Sequence, residues 1–132
     1  MKATARRSGD GLKHTVEVGT HRLTVDEALD HGGTDRGPNP QEMLAASLAS
    51  CSAITMEMYA ERKGWDIGDV SVSVDYEPAQ RGSPTKFAMN VHLPKELPEE
   101  QREKLMQIVA KCPVHRTLEG EVMFDETVEE LS

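Results

Sequence analysis

Two cysteines are the side chains of this sequence best suited to redox chemistry. Cys51 and Cys112 lie far apart in the chain, and in the cytoplasm, where we expect the protein, thiols are kept reduced. Two interpretations are open. Both cysteines could be inert, since buried thiols are common in protein cores. Alternatively, the two could meet in space and form a disulfide, which requires Cα atoms within about 7 Å of each other.

The cysteine and histidine spacing does not match a metal site. The sequence has no C-x-x-C, and its five histidines form no close ligand pair. We therefore expect no metal ion and no other cofactor. His115, three residues after Cys112, could lower the pKa of that thiol or could simply face solvent.

Cys51 lies at the midpoint of a long predicted helix, from Asn39 to about Lys63. Asn39 is a suitable N-cap, Pro40 suits the first helical position, and Glu42 can complete a capping box. Gly64 can adopt the left-handed conformation that ends a helix. The sequence therefore predicts both helix ends from known capping chemistry.

The body of this helix is apolar around most of its circumference. No charged residue occurs between Glu42 and Glu57, and a helix that is apolar on nearly all sides is normally buried. We therefore expect Cys51 to lie inside the protein. Two small sheets could not easily cover such a helix, so we also expect an obligate homodimer.

Glu42 allows a second interpretation besides the helix cap. Its nine-residue offset from Cys51 places it near the opposite side of the helix, so its carboxylate would not lie directly above the sulfur. It could instead orient an arginine from a neighbouring loop. Arg36 is the nearest in sequence, and Arg7 could come from the first hairpin. Both arginines could equally be solvated surface charges.

The remaining patterns predict an α+β fold with antiparallel sheets packed on two helices, in the order βββ-α-ββ-α-β. Alternation, turn residues and helix breakers divide the chain. The predicted elements are a three-stranded meander over 1–26, an irregular polar loop Asp26–Pro40, the long helix, a hairpin of strands Val70–Tyr76 and Phe87–Leu93, a second helix from Pro98 to about Lys111 that Pro113 stops, and a last strand Glu121–Glu126.

The composition of the chain argues against nucleic-acid binding and against insertion into a membrane. The 132 residues fit one domain, 1–132, and the excess of 23 Asp and Glu over 15 Lys and Arg argues against nucleic-acid binding. The first residues contain no apolar run like that of a signal peptide. The serines of the long helix and its flanking charges argue against a membrane span.

Three stretches resemble the OsmC/Ohr family, and its OsmC-like subgroup most closely. The first is G-P-N-P-Q-E-M-L-A-A-S-L-A-S-C-S-A-I-T-M-E-M-Y-A-E-R-K-G-W, at 37–65, and the second is C-P-V-H-R-T-L, at 112–118. The third is G-x-H-x-L-x-x-D-E, at 19–27. The two cysteine motifs together carry the resemblance, which covers residues 19 to about 118.

The resemblance implies an intertwined homodimer with active sites at the subunit interface. It implies a thiol peroxidase that reduces organic hydroperoxides, with Cys51 as the nucleophile, Cys112 as the resolving thiol and a dithiol as reductant. A Glu–Arg pair beside the sulfur is assigned to Glu42 and Arg36, with Arg7 as the alternative arginine, although the position of the family glutamate holds Gln41 here. Because of that departure, a non-catalytic dimer that binds a small ligand or senses redox state is the alternative.

Overall fold

Three short strands at the start of the chain form an antiparallel meander. They are β1 (Ala3–Arg7), β2 (His14–Val18) and β3 (His21–Val25), in the order β1-β2-β3. Residues alternate in facing along a strand, so the register, in which Val16 pairs with Leu23, places these apolar side chains on one face. The predicted meander is confirmed.

Helix α1 (Pro40–Lys63) follows a loop that contains one 3₁₀ turn, Leu29–His31. The loop was expected to be wholly irregular, and this single turn is a small correction. The helix ends as predicted, because Gly64 has φ 69° and the Trp65 amide donates to the Ala60 carbonyl at 2.9 Å. This is the bond pattern of a glycine-terminated helix.

A hairpin of two strands, β4 (Ser71–Glu77) and β5 (Lys86–His92), follows the helix. Its connection contains a tight turn in which Gln80 and Ser83 exchange backbone hydrogen bonds of 3.0 and 2.9 Å. Alternate side chains on each strand are half-buried and the others are exposed. The predicted period of two is confirmed.

Two helices complete the regular structure, α2 (Glu99–Val109) and α3 (Pro113–Glu119). Helix α3 is not predicted from the sequence, because Pro113 is assigned there only to the end of the preceding helix. Proline also suits the first position of a helix, because an N–H group at that position has no hydrogen-bond acceptor within the helix. The last strand predicted at Glu121–Glu126 was wrong: these residues have no regular structure and are exposed.

This computed structural model describes residues 1–130, which group into two units. The first unit comprises Met1–Ser47 and Ser73–Asn90 and holds the whole meander and the turn between β4 and β5. The second comprises Leu48–Val72 and the chain from Val91 onward, with most of α1 and all of α2 and α3. The elements and sheets together confirm the α+β fold class.

The apolar core belongs to the second unit. Its buried members come from α1, from α2 and from the segments beside them: Leu48, Met56, Ala60, Ile67, Leu105, Ile108, Val109 and Cys112. Ser52 is buried among them. In the first unit, Asp26 is the only buried residue among those described.

Helix α1 buries one stripe rather than its whole circumference, which corrects the expectation of a helix buried on all sides. The stripe repeats every four residues, at Leu48, Ser52, Met56 and Ala60. Ile54 and Met58 lie off this stripe and are 53% and 60% exposed in the single chain. A helix of this composition therefore leaves apolar surface that its own chain does not cover.

Candidate active site

The second unit brings Cys51 and Cys112 together. Cys51 lies in the middle of α1 and Cys112 lies just before α3, and both are free thiols. The Cys112 thiol is close enough to act on Cys51 through a side-chain hydrogen bond and through charge. The sequence left open whether these cysteines meet; the structure shows that they do.

The Cys112 sulfur is enclosed and accepts two hydrogen bonds. Cys112 is the N-cap residue of α3, and the His115 amide donates to its sulfur at 3.2 Å. The Ser52 hydroxyl, from the buried stripe of α1, donates to the same sulfur at 3.7 Å. Cys112 is 0% exposed, so this sulfur is reached only through its protein neighbours.

Cys51 is half-buried, and its surroundings raise its pKa. Burial is the largest cause, because it disfavours the charged thiolate. The neighbouring Cys112 raises the pKa further, whereas the Val114 amide and the Thr55 side chain donate hydrogen bonds that lower it. The net direction is upward, so at neutral pH this thiol is less ionised than an ordinary cysteine.

His115 contacts Cys112 through its backbone rather than through its ring. Its Nδ1 atom lies 2.8 Å from Glu119 Oε1, an ion pair when the imidazole is protonated. The contact does not have the geometry of a hydrogen bond. His115 therefore supplies an amide donor to Cys112, a contribution that its side-chain type does not reveal.

Glu42 forms the predicted capping box at the start of α1. Its amide donates to Asn39 Oδ1 at 2.8 Å, and its Oε1 accepts from the Asn39 amide at 2.9 Å. These reciprocal bonds satisfy two amide groups that the helix start would otherwise leave unpaired. Within residues 1–130 no ion pair joins Glu42 to an arginine.

The two candidate arginines lie elsewhere. Arg36 is exposed, and its backbone amide donates to Asp26 Oδ2 at 3.1 Å. Arg7 donates from Nε to the Gly11 carbonyl at 2.8 Å and also to the Asp10 carbonyl. Arg7 therefore holds the turn between β1 and β2. The pairing of Arg36 with Glu42 stays a prediction.

Asp26 organises the loop before α1, a role that the sequence pattern did not reveal. This carboxylate is 2% exposed and accepts hydrogen bonds from the Thr34 hydroxyl at 2.6 Å and from three amides, those of Glu27, Thr34 and Arg36. The Thr34 hydroxyl is the largest cause that lowers the pKa of Asp26, to about 2. An Asp before a Gly-rich polar loop was the available signal.

Two further features of the described chain bear on the site. No three His, Cys, Asp or Glu side chains between residues 1 and 130 cluster closely enough to hold a metal ion. Within the same residues, no helix is both long and apolar enough to cross a membrane.

The model of the OsmC-like protein family matches residues 32–127, which include both cysteines and most of the chain. The chain belongs to the OsmC-like family.

Individual relatives are distant but cover nearly the whole chain. An uncharacterized protein of Haloferax volcanii is 28% identical over 127 residues, 95% of this chain and 92% of its own length. An OsmC-like protein of Mycoplasma pneumoniae, 24% identical, superimposes with a TM-score of 0.70 over 90% of this chain and 86% of its own. The organic hydroperoxide resistance protein OsmC of Legionella pneumophila is 22% identical, with a TM-score of 0.64 over 90% and 88%. The solved structures share the fold with this chain.

Proposed function

We propose that this protein is a thiol-dependent peroxidase that reduces organic hydroperoxides with Cys51 and Cys112. One observation carries the proposal: two free thiols lie within reach of each other, one half-exposed and one fully buried. Such a pair suits a reaction in which the exposed thiol meets the substrate and the buried thiol reacts only afterwards. The hydroperoxide resistance named for the Legionella relative supports the same chemistry.

The proposed cycle has three balanced steps. Cys51 gives up its thiol proton, its thiolate attacks the outer peroxide oxygen, and the O–O bond breaks. The leaving alkoxide takes up one proton and departs as an alcohol while Cys51 becomes a sulfenic acid. Cys112 then attacks the Cys51 sulfur, which forms a disulfide and releases water. A dithiol reductant, which we place in the cytoplasm with the protein, restores both thiols by exchange.

Cys51 is proposed as the nucleophile because it is the thiol that solvent reaches. Two hydrogen-bond donors, the Val114 amide and the Thr55 hydroxyl, favour its thiolate, whereas burial and Cys112 oppose it. The described residues that act most strongly on its pKa include no cation. We therefore retain the proposal of a Glu42–Arg36 pair, in which an arginine supplies the missing positive charge.

We also propose a homodimer, with active sites at the subunit interface. Its support is the apolar surface that the single chain leaves open, including Ile54 and Met58 on α1 and Met123 and Phe124 near the chain end. Large exposed apolar areas mark interaction sites more often than free surface. Either subunit could then supply the activating arginine.

The direct test of the proposed function is a thiol titration before and after one equivalent of cumene hydroperoxide. We expect the loss of both thiols and an intramolecular disulfide, identified by mass spectrometry of the joined Cys51 and Cys112 peptides. Hydrogen peroxide is the comparison substrate and should react more slowly. Retention of both thiols after treatment with the organic hydroperoxide would exclude the peroxidase.

A redox-sensing or ligand-binding dimer is the alternative that one observation favours. The raised pKa of Cys51 slows attack on peroxide at neutral pH, which suits a thiol that responds only to strong oxidation. Steady-state turnover with a dithiol separates the two functions. Repeated turnover supports the peroxidase, whereas a single oxidation without turnover supports the sensor.

The homodimer has its own test, sedimentation at micromolar concentration. Met58→Glu would place a charge on the exposed apolar side of α1 and should shift the protein toward the monomer. Glu57→Gln, at the exposed neighbouring position, is the matched control and should leave the dimer intact. A folded wild-type monomer at this concentration would contradict the proposal.

A further inference from the structure

Ser52 places a hydroxyl group in the apolar core of the second unit. Its neighbours on the buried stripe, Leu48, Met56 and Ala60, are all apolar, and Ser52 itself is 0% exposed. Burying a hydroxyl costs free energy unless it is hydrogen-bonded. Alanine would fill nearly the same space without that cost, so the hydroxyl calls for an explanation.

The hydrogen bond of this hydroxyl goes to the Cys112 sulfur. Ser52 Oγ donates to Cys112 Sγ at 3.7 Å, and the His115 amide donates to the same sulfur at 3.2 Å. Both groups are donors, so both stabilise negative charge that develops on this sulfur. The amide belongs to the backbone of α3. Ser52 is therefore the side chain that donates a hydrogen bond to the Cys112 sulfur.

The position of Ser52 links the two cysteines. It directly follows Cys51 on α1, so its hydrogen bond to Cys112 fixes the second sulfur beside the residue that carries the first. A helix turns about 100° per residue. Cys51 can therefore be half-exposed to substrate while the adjacent Ser52 faces the core and Cys112.

We propose that Ser52 serves the resolving step, an inference that rests on the proposed peroxidase function. In that step the Cys112 sulfur attacks the sulfur of the Cys51 sulfenic acid. The S–S bond forms, the S–O bond breaks, and the hydroxyl group leaves as water with the proton that Cys112 gives up. Cys112 is oxidised as Cys51 is reduced, so no further oxidant is needed. Ser52 holds the attacking sulfur in place and stabilises its developing charge.

The experiment is a single-turnover oxidation of Ser52→Ala by one equivalent of cumene hydroperoxide. Sulfenic acid should form at the wild-type rate, because Cys51 keeps its own donors. Disulfide formation should then be about fivefold slower, the effect of one lost hydrogen bond. With excess peroxide the variant should accumulate more sulfinic acid, since the sulfenic acid persists longer.

Two variants separate this role from a merely structural one. Ser52→Thr keeps the hydroxyl and should restore rapid disulfide formation. Ser50→Ala removes an exposed serine from the same helix and should match the wild type at both steps. Equal disulfide-formation rates in Ser52→Ala and wild type would overturn the inference, as would slowing of both steps alike.

A peroxide-free measurement keeps this inference distinct from the proposed function. Cys51 is converted to a mixed disulfide with Ellman's reagent, and attack by Cys112 is followed through release of the second thionitrobenzoate. Ser52→Ala should slow that release by a similar factor. If the wild type does not react with peroxide but releases the second thionitrobenzoate faster than Ser52→Ala does, the peroxidase function is excluded and the role of Ser52 is supported. Equal release rates in the two proteins would remove the role of Ser52.

Discussion

Asp26 in the first unit and Cys51 in the second are both shielded acids, and their surroundings move their pKa values in opposite directions. Asp26 accepts four hydrogen bonds, led by that of the Thr34 hydroxyl, and its pKa falls to about 2. Cys51 has two donors, and burial together with the nearby Cys112 outweighs them, so its pKa rises.

The difference separates an acid that stabilises its loop, Asp26 in the first unit, from an acid that is proposed to react, Cys51 in the second unit. A carboxylate whose charge is fully supported by donors stays ionised and holds its loop in one shape. A thiol whose charge is only partly supported stays mostly protonated until a further group supplies positive charge. In this chain, hydrogen-bond donors stabilise the negative charge of Asp26 fully but stabilise the Cys51 thiolate only in part.

The largest effect should come from removing the nucleophile. We expect Cys51→Ser to abolish peroxide consumption, because no other exposed thiol is available. Cys112→Ser should still undergo one oxidation and stop at a sulfenic acid or a mixed disulfide. Peroxide consumption and sulfenic-acid labelling distinguish the two. Equal reactivity of the two variants would show that the roles of the cysteines are assigned wrongly.

The next largest effect concerns stability in the first unit. Asp26→Asn removes one acceptor oxygen and sets an amide group against the donors of the loop, so Tm should fall by roughly 5 °C or more. Asp35→Asn is the control, since Asp35 is exposed in the same loop. Equal melting temperatures for the two variants would mean that Asp26 does not hold the loop.

The pH dependence of this difference follows from the depressed pKa. The contribution of Asp26 is fully present above its unfolded pKa of about 4. It is lost as the pH falls through the folded pKa of about 2. The gap in unfolding free energy between wild type and Asp26→Asn should therefore be constant above about pH 5 and should narrow below about pH 4. Urea unfolding across this range measures it.

A smaller effect should come from the groups proposed to activate Cys51. Arg36→Ala should raise the pKa of Cys51 and slow peroxide reduction severalfold at neutral pH, with much of the loss recovered at higher pH. Glu42→Gln should act in the same direction and cost only about 1 kcal/mol of stability through the weakened cap. The pH profile of Cys51 alkylation is the measurement.

Superimposable alkylation profiles for these variants and wild type would leave Glu42 as a helix cap alone. Arg7→Ala is then the next variant to compare. Because Arg7 already donates to two carbonyls of its own turn, its removal should also lower Tm, which Arg36→Ala should not do. The melting temperature therefore separates a loss of turn structure from a loss of thiol activation.

The smallest effect should come from Thr55, a donor to Cys51. Thr55→Val keeps the shape of the side chain and removes the hydroxyl, which should raise the pKa of Cys51 and slow alkylation at neutral pH by up to about fivefold. Thr55→Ser is the control, since it keeps the hydroxyl. No difference between the two variants would mean that burial and Cys112 alone set the reactivity.

Much of the fold could be predicted from the sequence because its signals are local. The caps of α1 depend on Asn39, Glu42 and Gly64, which act within one helical turn, and the alternating strands depend on nearest neighbours. The end of the chain was predicted wrongly for the same reason. Val122 and Phe124 alternate like a strand, but a strand needs a partner that local pattern does not supply.

The sequence by itself determined the long helix, the three-stranded meander, the later hairpin and the two thiols that could do chemistry. The tertiary structure decided that Cys51 and Cys112 meet and that Ser52 and the amides of α3 surround them. It also decided that the Asp26 carboxylate accepts hydrogen bonds from several residues of its loop. Contacts between residues distant in the chain depend on packing, and donors such as backbone amides have no side-chain signature. The same residue types therefore allow inert or paired cysteines until the elements are packed together.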